Sequence, residues 1–342
     1  MQPPARGTSA THGTRLRSPQ TVCHPRSAMD TVVFHRHFER FQGGHLKVFH
    51  YFEHVRSSPS HRALIRFTSD SYWGPENPWW SFPDAVLAPD DPTVGDIRFL
   101  AGMDWRAIPA QQRSDPPVPV INLIQGFRHT RPQSPAFEFL HDRAVRLCVS
   151  PELEQALRDI DIVQGPVFTV PIGLDLERLP APRPLEQREL DCLVLAVKAP
   201  RLGAEVAKGL RREGRSVVLV DRLVPREQLI NGIAGARVSV HVPALVEGAY
   251  LPALESMALD TLVVCPDCVG NRSFCRDGET CLAPARTEVG LLEAALELLR
   301  AGTGETGTLL EGGRREIRRH ALGEERRAFL AILDRVPELW LA

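Results

Sequence analysis

From Thr31 onward the chain alternates short runs rich in Val, Ile and Leu with amphipathic stretches, a pattern that points to βαβ units and a parallel sheet. Candidate strands cover Thr31 to Phe34, Ala63 to Phe67, Ile97 to Leu100, Val118 to Ile124, Val145 to Val149 and part of Gly165 to Asp175. Between them, Leu46 to Val55 and Ala136 to Ala144 read as helices, and Ser150-Pro151 opens another with a capping hydroxyl and a proline at its first position. A Trp- and Pro-rich loop fills Tyr72 to Pro83. The alternation stops once, at the Pro-rich, charged segment Leu179 to Leu190, which reads as a linker. It then restarts with strands at Asp191 to Lys198, Ser216 to Asp221, Arg237 to Val242 and Thr261 to Cys265. Helices are expected at Gly203 to Glu213, Pro225 to Ala234, Pro252 to Leu259 and Val289 to Ala301, and one long basic helix from Arg314 to Leu333. The expected fold class is α/β, two Rossmann-like doubly wound domains over 29–178 and 191–315, joined by the linker 179–190 and followed by a C-terminal helical segment, 316–342.

A length of 342 residues suits two such domains. Hydrophobic residues at 43%, charged at 24% and aromatic at 6% fit a globular chain and exclude a collagen-like or wholly disordered one. Residues 1–28 are the exception: rich in Pro, Ser, Thr and Arg, they lack apolar periodicity and are expected to form a disordered extension ahead of Met29. They hold four of the 41 basic residues and no acid, so the rest of the chain carries 37 basic against 42 acidic side chains, and no nucleic-acid partner is indicated. No run of apolar residues is long enough to span a bilayer, and the expected location is cytoplasmic. The seven cysteines are odd in number and read as reduced thiols.

The most informative stretch runs from Glu247 to Glu255, with two carboxylates eight positions apart across a strand-to-helix turn. Pro252 suits a first helical turn, and neither Tyr250 nor Leu251 offers a capping oxygen. The first amides of that helix are therefore expected to be free, in a place where the helix dipole favours a diphosphate and the carboxylates can accept from sugar hydroxyls. A water-capped helix with two surface acids satisfies the same spacing.

This stretch resembles the E-x7-E signature of the group 1, or family 4, retaining glycosyltransferases of the GT-B fold. The similarity continues through Met257-Ala258 and Leu262-Val263-Val264 to Gly270. The resemblance implies two domains facing a cleft, and a sugar moved with retention from a nucleotide diphosphate sugar to an acceptor hydroxyl. It assigns the donor sugar and phosphates to Glu247 and to Gly248, Ala249, Tyr250 and Leu251, and the ribose to Glu255. Gly43-Gly44 resembles the glycine-rich loop after the first strand, and His129 falls where these enzymes often place a histidine near the donor sugar. Val149-Ser150, and Val170-Pro171-Ile172-Gly173-Leu174-Asp175, resemble the end of the family's first domain. The family's Arg and Lys after the first strand of the second domain are altered here to Lys198 and Arg201, the candidates for countering the leaving diphosphate. Lys208 falls too late, inside a helix.

No metal or other cofactor is expected. Asp159-Ile160-Asp161 has the D-x-D form but follows a helix in the first domain, and Cys265, Cys268, Cys275 and Cys281 lack a second zinc half-site spacing. The acceptor, whether glycan, lipid or small molecule, is left open, and peripheral membrane association is compatible with this reading. The same scaffold also accommodates a nucleotide-sugar epimerase, a phosphorylase, or a protein that binds nucleotide sugar without turnover.

Overall fold

The computed structural model describes residues 29–40 and 43–341; the expected disordered extension, 1–28, lies outside them. The first part of the chain contains β1 (Asp30–Arg36), α1 (Gly43–Arg56), β2 (His61–Phe67), β3 (Val86–Leu87), β4 (Ile97–Ala101), α2 (Ala110–Ser114), β5 (Val120–Ile124), β6 (Val145–Cys148), α3 (Pro151–Arg158) and β7 (Val167–Thr169). Its strands form one parallel sheet in the order β3-β2-β1-β4-β5-β6-β7. The order reverses between β1 and β4. The second part comprises β8 (Leu190–Leu195), α4 (Pro200–Arg212), β9 (Val217–Val220), α5 (Arg226–Gly235), β10 (Ala236–His241), α6 (Leu251–Ala258), β11 (Leu262–Val264) and α7 (Glu288–Arg300). Its parallel sheet has the order β11-β10-β8-β9, reversing between β8 and β10. Open α/β sheets bind ligands at such reversals, outside the carboxyl ends of the strands.

Local chemistry accounts for several boundaries. Ser150 has extended backbone and its hydroxyl accepts from the Leu153 amide at 3.4 Å, capping α3 as its sequence predicts. Arg188, in the segment expected to be a linker, is buried, and its guanidinium donates to the carbonyls of Arg183, Ala236, Leu259 and Asp260 and to Thr261 Oγ1. The last residues of that segment are thereby fastened to the second sheet.

Two expected helices are corrected. Ala136 to Ala144 holds only a short 3-10 turn, Glu138–Leu140, because the buried Arg146 side chain claims the carbonyls of Phe139, Leu140 and Asp142 that a helix would need. The long helix from Arg314 to Leu333 is broken into α8 (Thr303–Arg319) and α9 (Leu322–Leu333), followed by α10 (Val336–Leu341). At the break Leu174 of the first domain donates to the His320 carbonyl at 2.7 Å and accepts from the Leu322 amide at 2.9 Å. That exchange draws both chains into a strand-like bridge, and the chain crosses back there. Beyond it Phe329 of α9 sits edge-on to Tyr51 of α1 at 4.7 Å and to Phe99 of β4 at 6.1 Å, inside the core of the first domain. Among the described residues no helix is long and apolar enough to cross a membrane.

Candidate active site

The reversal in the second sheet gathers the residues of the E-x7-E stretch. Glu247 is half-buried in the loop after β10, and its carboxylate accepts from the Ala244 amide at 3.1 Å. Gly248 is required by close approach: a Cβ there would lie 2.0 Å from the Gln125 carbonyl of the first domain. Gly270 is similarly constrained, 2.1 Å from the Glu247 carbonyl.

The first turn of α6 differs from expectation. The Tyr250 amide donates to the Gly270 carbonyl at 3.1 Å, Leu251 to Ala249 at 3.2 Å and Ala253 to Tyr250 at 3.3 Å, while Pro252 has no N–H to place. Neighbouring backbone, which the spacing of side-chain caps does not reveal, supplies these partners. The amides without an acceptor among the described residues belong to Gly248 and Ala249, just ahead of the helix. They remain suited to an anion.

Behind this turn, His241 Nε2 lies 3.0 Å from Ser239 Oγ and 3.1 Å from Ser256 Oγ, and Ser256 donates to the Pro252 carbonyl. Burial pushes His241 down to about 3, so the ring is neutral and locks α6 to β10. Glu255 is buried, and its Oε1 pairs with Arg226 from the first turn of α5. A ribose at this carboxylate would therefore share it with a guanidinium. Arg226 was not singled out from the sequence, since nothing local links it to Glu255, 29 residues later. Lys198, after β8, and Arg201, in the first turn of α4, are both exposed and have no carboxylate partner among the described residues. Lys208 is mid-helix and faces Glu205 at 3.7 Å.

From the first domain, Gly43 and Gly44 open α1, and Gln125 Nε2 donates to the Gly44 carbonyl at 3.3 Å. Gln125 thus touches both the glycine loop and Gly248, and Gly126 lies against Gly248 as well; this glycine, two residues beyond β5, is the sequence signal for the meeting point. His129 lies in the following 3-10 turn, Phe127–Thr130, and is only 1% exposed. Burial first, then Arg128 and Arg146, push it down to about 3. The structure therefore places it under the cleft surface as a neutral ring, with Nδ1 unpartnered among the described residues.

Asp159 ends α3 and Asp161 stands in the turn beyond it, away from both sheet reversals. Cys265, Cys268, Cys275 and Cys281 are buried free thiols; Asn271 Nδ2 donates to Cys265 Sγ at 3.1 Å. Among the described residues no three His, Cys, Asp or Glu side chains are grouped to hold a metal ion.

The chain is similar to known proteins in part of its sequence and in its fold. Residues 180–301, which include both carboxylates and the α6 turn, match the family described as glycosyl transferases group 1. In three dimensions the chain is similar to HepE from Anabaena in complex with UDP, with a TM-score of 0.67 and 12% identity over 90% of this chain and 100% of that one. Sucrose-phosphate synthase from Thermosynechococcus elongatus aligns with a TM-score of 0.66 and 12% identity, covering 90% of this chain and 99% of its own. The fold is GT-B. The lipopolysaccharide outer core galactosyltransferase WaaB, in its apo form, has the same arrangement, with a TM-score of 0.64 and 12% identity over 90% of this chain and 100% of that one. No curated protein matches in sequence. In a GT-B scaffold the two sheet reversals face one another across the cleft, and Gly248 against Gln125 marks where the walls meet.

Proposed function

We propose that this chain is a retaining glycosyltransferase that moves a sugar from a nucleotide diphosphate sugar to an acceptor hydroxyl without a metal ion. The observation that carries the reading is the second-sheet reversal, where Glu247, the open Gly248 and Ala249 amides and Glu255 share one end of the sheet with the uncommitted cations Lys198 and Arg201. Bond breaking at the anomeric carbon builds positive charge on the sugar and negative charge on the leaving diphosphate, and both must be stabilised in the transition state. Fixed amides and the two cations serve the diphosphate. Glu247 lies beside the same turn and takes the donor sugar. Glu255 accepts from the ribose, with Arg226 holding the carboxylate in place.

Calorimetric titration with UDP, GDP, ADP and TDP tests the donor site. Glu255→Ala is expected to weaken binding of the preferred nucleotide by about 1 to 3 kcal/mol, the scale of a lost charge-assisted hydrogen bond. Unchanged affinity removes Glu255 from the ribose site. Turnover is expected to survive EDTA, because the proposed diphosphate site is built from amides and side-chain cations, and the acidic pair Asp159 and Asp161 stands elsewhere. Loss of transfer on chelation, restored by Mg²⁺ or Mn²⁺, would show that a metal takes part.

A further inference from the structure

The first sheet has its own reversal, between β1 and β4, and the groups gathered there have no part in the donor site described above. Arg36 ends β1, and its Nη1 lies 2.6 Å from Asp104 Oδ2, just beyond β4, and 3.3 Å from the carbonyl of Ala101, the last residue of β4. Its Nε donates to His45 Nδ1 at 3.0 Å. A guanidinium has only donors, so Nδ1 must hold the lone pair and the ring proton sits on Nε2. Burial, then Arg36 and His37, push His45 down to about 4, in keeping with a neutral ring. His45 is a buried residue, and its Nε2 has no hydrogen-bond partner among the described residues, so one N–H is left open two residues after Gly43.

A second group, from the turn after β5, reaches the carboxyl end of β4, next to the Ala101 carbonyl that Arg36 holds. The Arg128 guanidinium lies over Gly102, close enough that a Cβ there would meet Nη2 at 2.6 Å. Gly102 has φ of +59°, a conformation that favours bare backbone. Arg128 is exposed, and its guanidinium makes no hydrogen bond or ion pair among the described residues. Asp104 is buried and already committed to Arg36 and to the Ala101 amide at 3.1 Å. Two guanidiniums against one carboxylate leave this end of the sheet positive.

We propose that Arg128 and the His45 Nε2–H form an anion subsite on the first-domain wall of the cleft, and that it receives a phosphate group carried by the acceptor. An Arg fork and a nearby N–H suit the oxygens of a tetrahedral anion. The donor diphosphate already has Lys198, Arg201 and two free amides on the opposite wall. Asp104 and Arg36 are positioning residues, acting through His45. The assignment to the acceptor rests on the glycosyltransferase reading; the anion subsite itself does not.

The test is a titration of the full-length chain with inorganic phosphate, followed by phosphorus NMR line broadening at constant ionic strength, with and without saturating UDP. Phosphate is expected to bind in both conditions, and Arg128→Gln to weaken it about tenfold or more while the UDP affinity stays within about twofold. Arg36→Gln, which frees the His45 ring, is expected to weaken phosphate several-fold and to change the pH profile of phosphate binding. Unchanged phosphate binding in Arg128→Gln overturns the subsite, and an equal loss of UDP affinity overturns its assignment to the acceptor. Phosphate binding by a chain that binds no nucleotide would leave the subsite standing and sink the transferase reading.

Discussion

Acidification from about pH 6.5 toward pH 4 is expected to unfold this chain, because buried histidines must take up protons when it opens: His45, pushed down to about 4, and four that lie lower still. His35, His50, His129 and His241 are each pushed down to about 3 from an ordinary 6.5. Burial is the first cause in every case, joined by Arg66 and Arg98 at His35, by Lys47 at His50, and by Arg128 and Arg146 at His129. A folded pKa below the unfolded one means that, between the two values, the unfolded ring binds a proton the folded ring refuses. The stability associated with each ring is therefore complete above pH 6.5 and is lost as the pH falls toward 3. Inside that window each ring steepens the fall by up to about 1.4 kcal/mol per pH unit, against a total stability of about 5 to 15 kcal/mol for an ordinary domain. Chemical denaturation at a series of pH values, followed by tryptophan fluorescence, gives the slope. A stability that stays level from pH 7 to pH 4.5 would contradict the account.

What the sequence discloses and what it hides follows from how far apart the determining groups lie. The strands were readable because Val, Ile and Leu cluster in runs of a few residues, and the start of α3 because Ser150-Pro151 is a contiguous signal. Glu247 and Glu255 share one turn, so their register was legible as well. The failed helix at Ala136 to Ala144 depends on Arg146, whose turn back onto those carbonyls is a tertiary choice. The break at His320 depends on Leu174, 146 residues earlier, and apolar periodicity passes straight through it. The first-domain cluster is hidden in the same way: Arg36 and Asp104 are 68 residues apart, and only the order of strands β1 and β4 places them together. Local signals thus carried the Glu247 to Glu255 turn, while topology supplied its Arg226 partner and built the opposite wall.

Replacing Glu325 by Ala is expected to cost about 3 to 5 kcal/mol, the scale of breaking a buried ion pair. Glu325 comes from α9, after the crossover, and its carboxylate is fully buried. It accepts from Lys47 Nζ at 2.7 Å, from the Gly173 amide at 2.6 Å and from His54 Nε2 at 3.0 Å. Burial works to raise this carboxyl, but the attraction of Lys47 and the donated hydrogen bonds outweigh it and hold the group below the usual carboxylate range. Without the carboxylate, the buried Lys47 ammonium keeps only the Gly173 carbonyl at 2.8 Å and His50 Nδ1 at 3.2 Å. The cost arises mainly from that stranded charge, which a second variant can show: Lys47→Met with Glu325→Leu removes both charges and is expected to recover most of the loss. Guanidinium chloride unfolding of the single and double variants measures both. A cost below about 1 kcal/mol in Glu325→Ala, or a double variant no better than the single one, would refute the argument. The site also bears on function, because Lys47 sits in the helix whose first residues are Gly43 and Gly44. Glu325 therefore ties the glycine loop of the cleft to the point at which the chain returns to the first domain, and loss of this tie is expected to loosen both together.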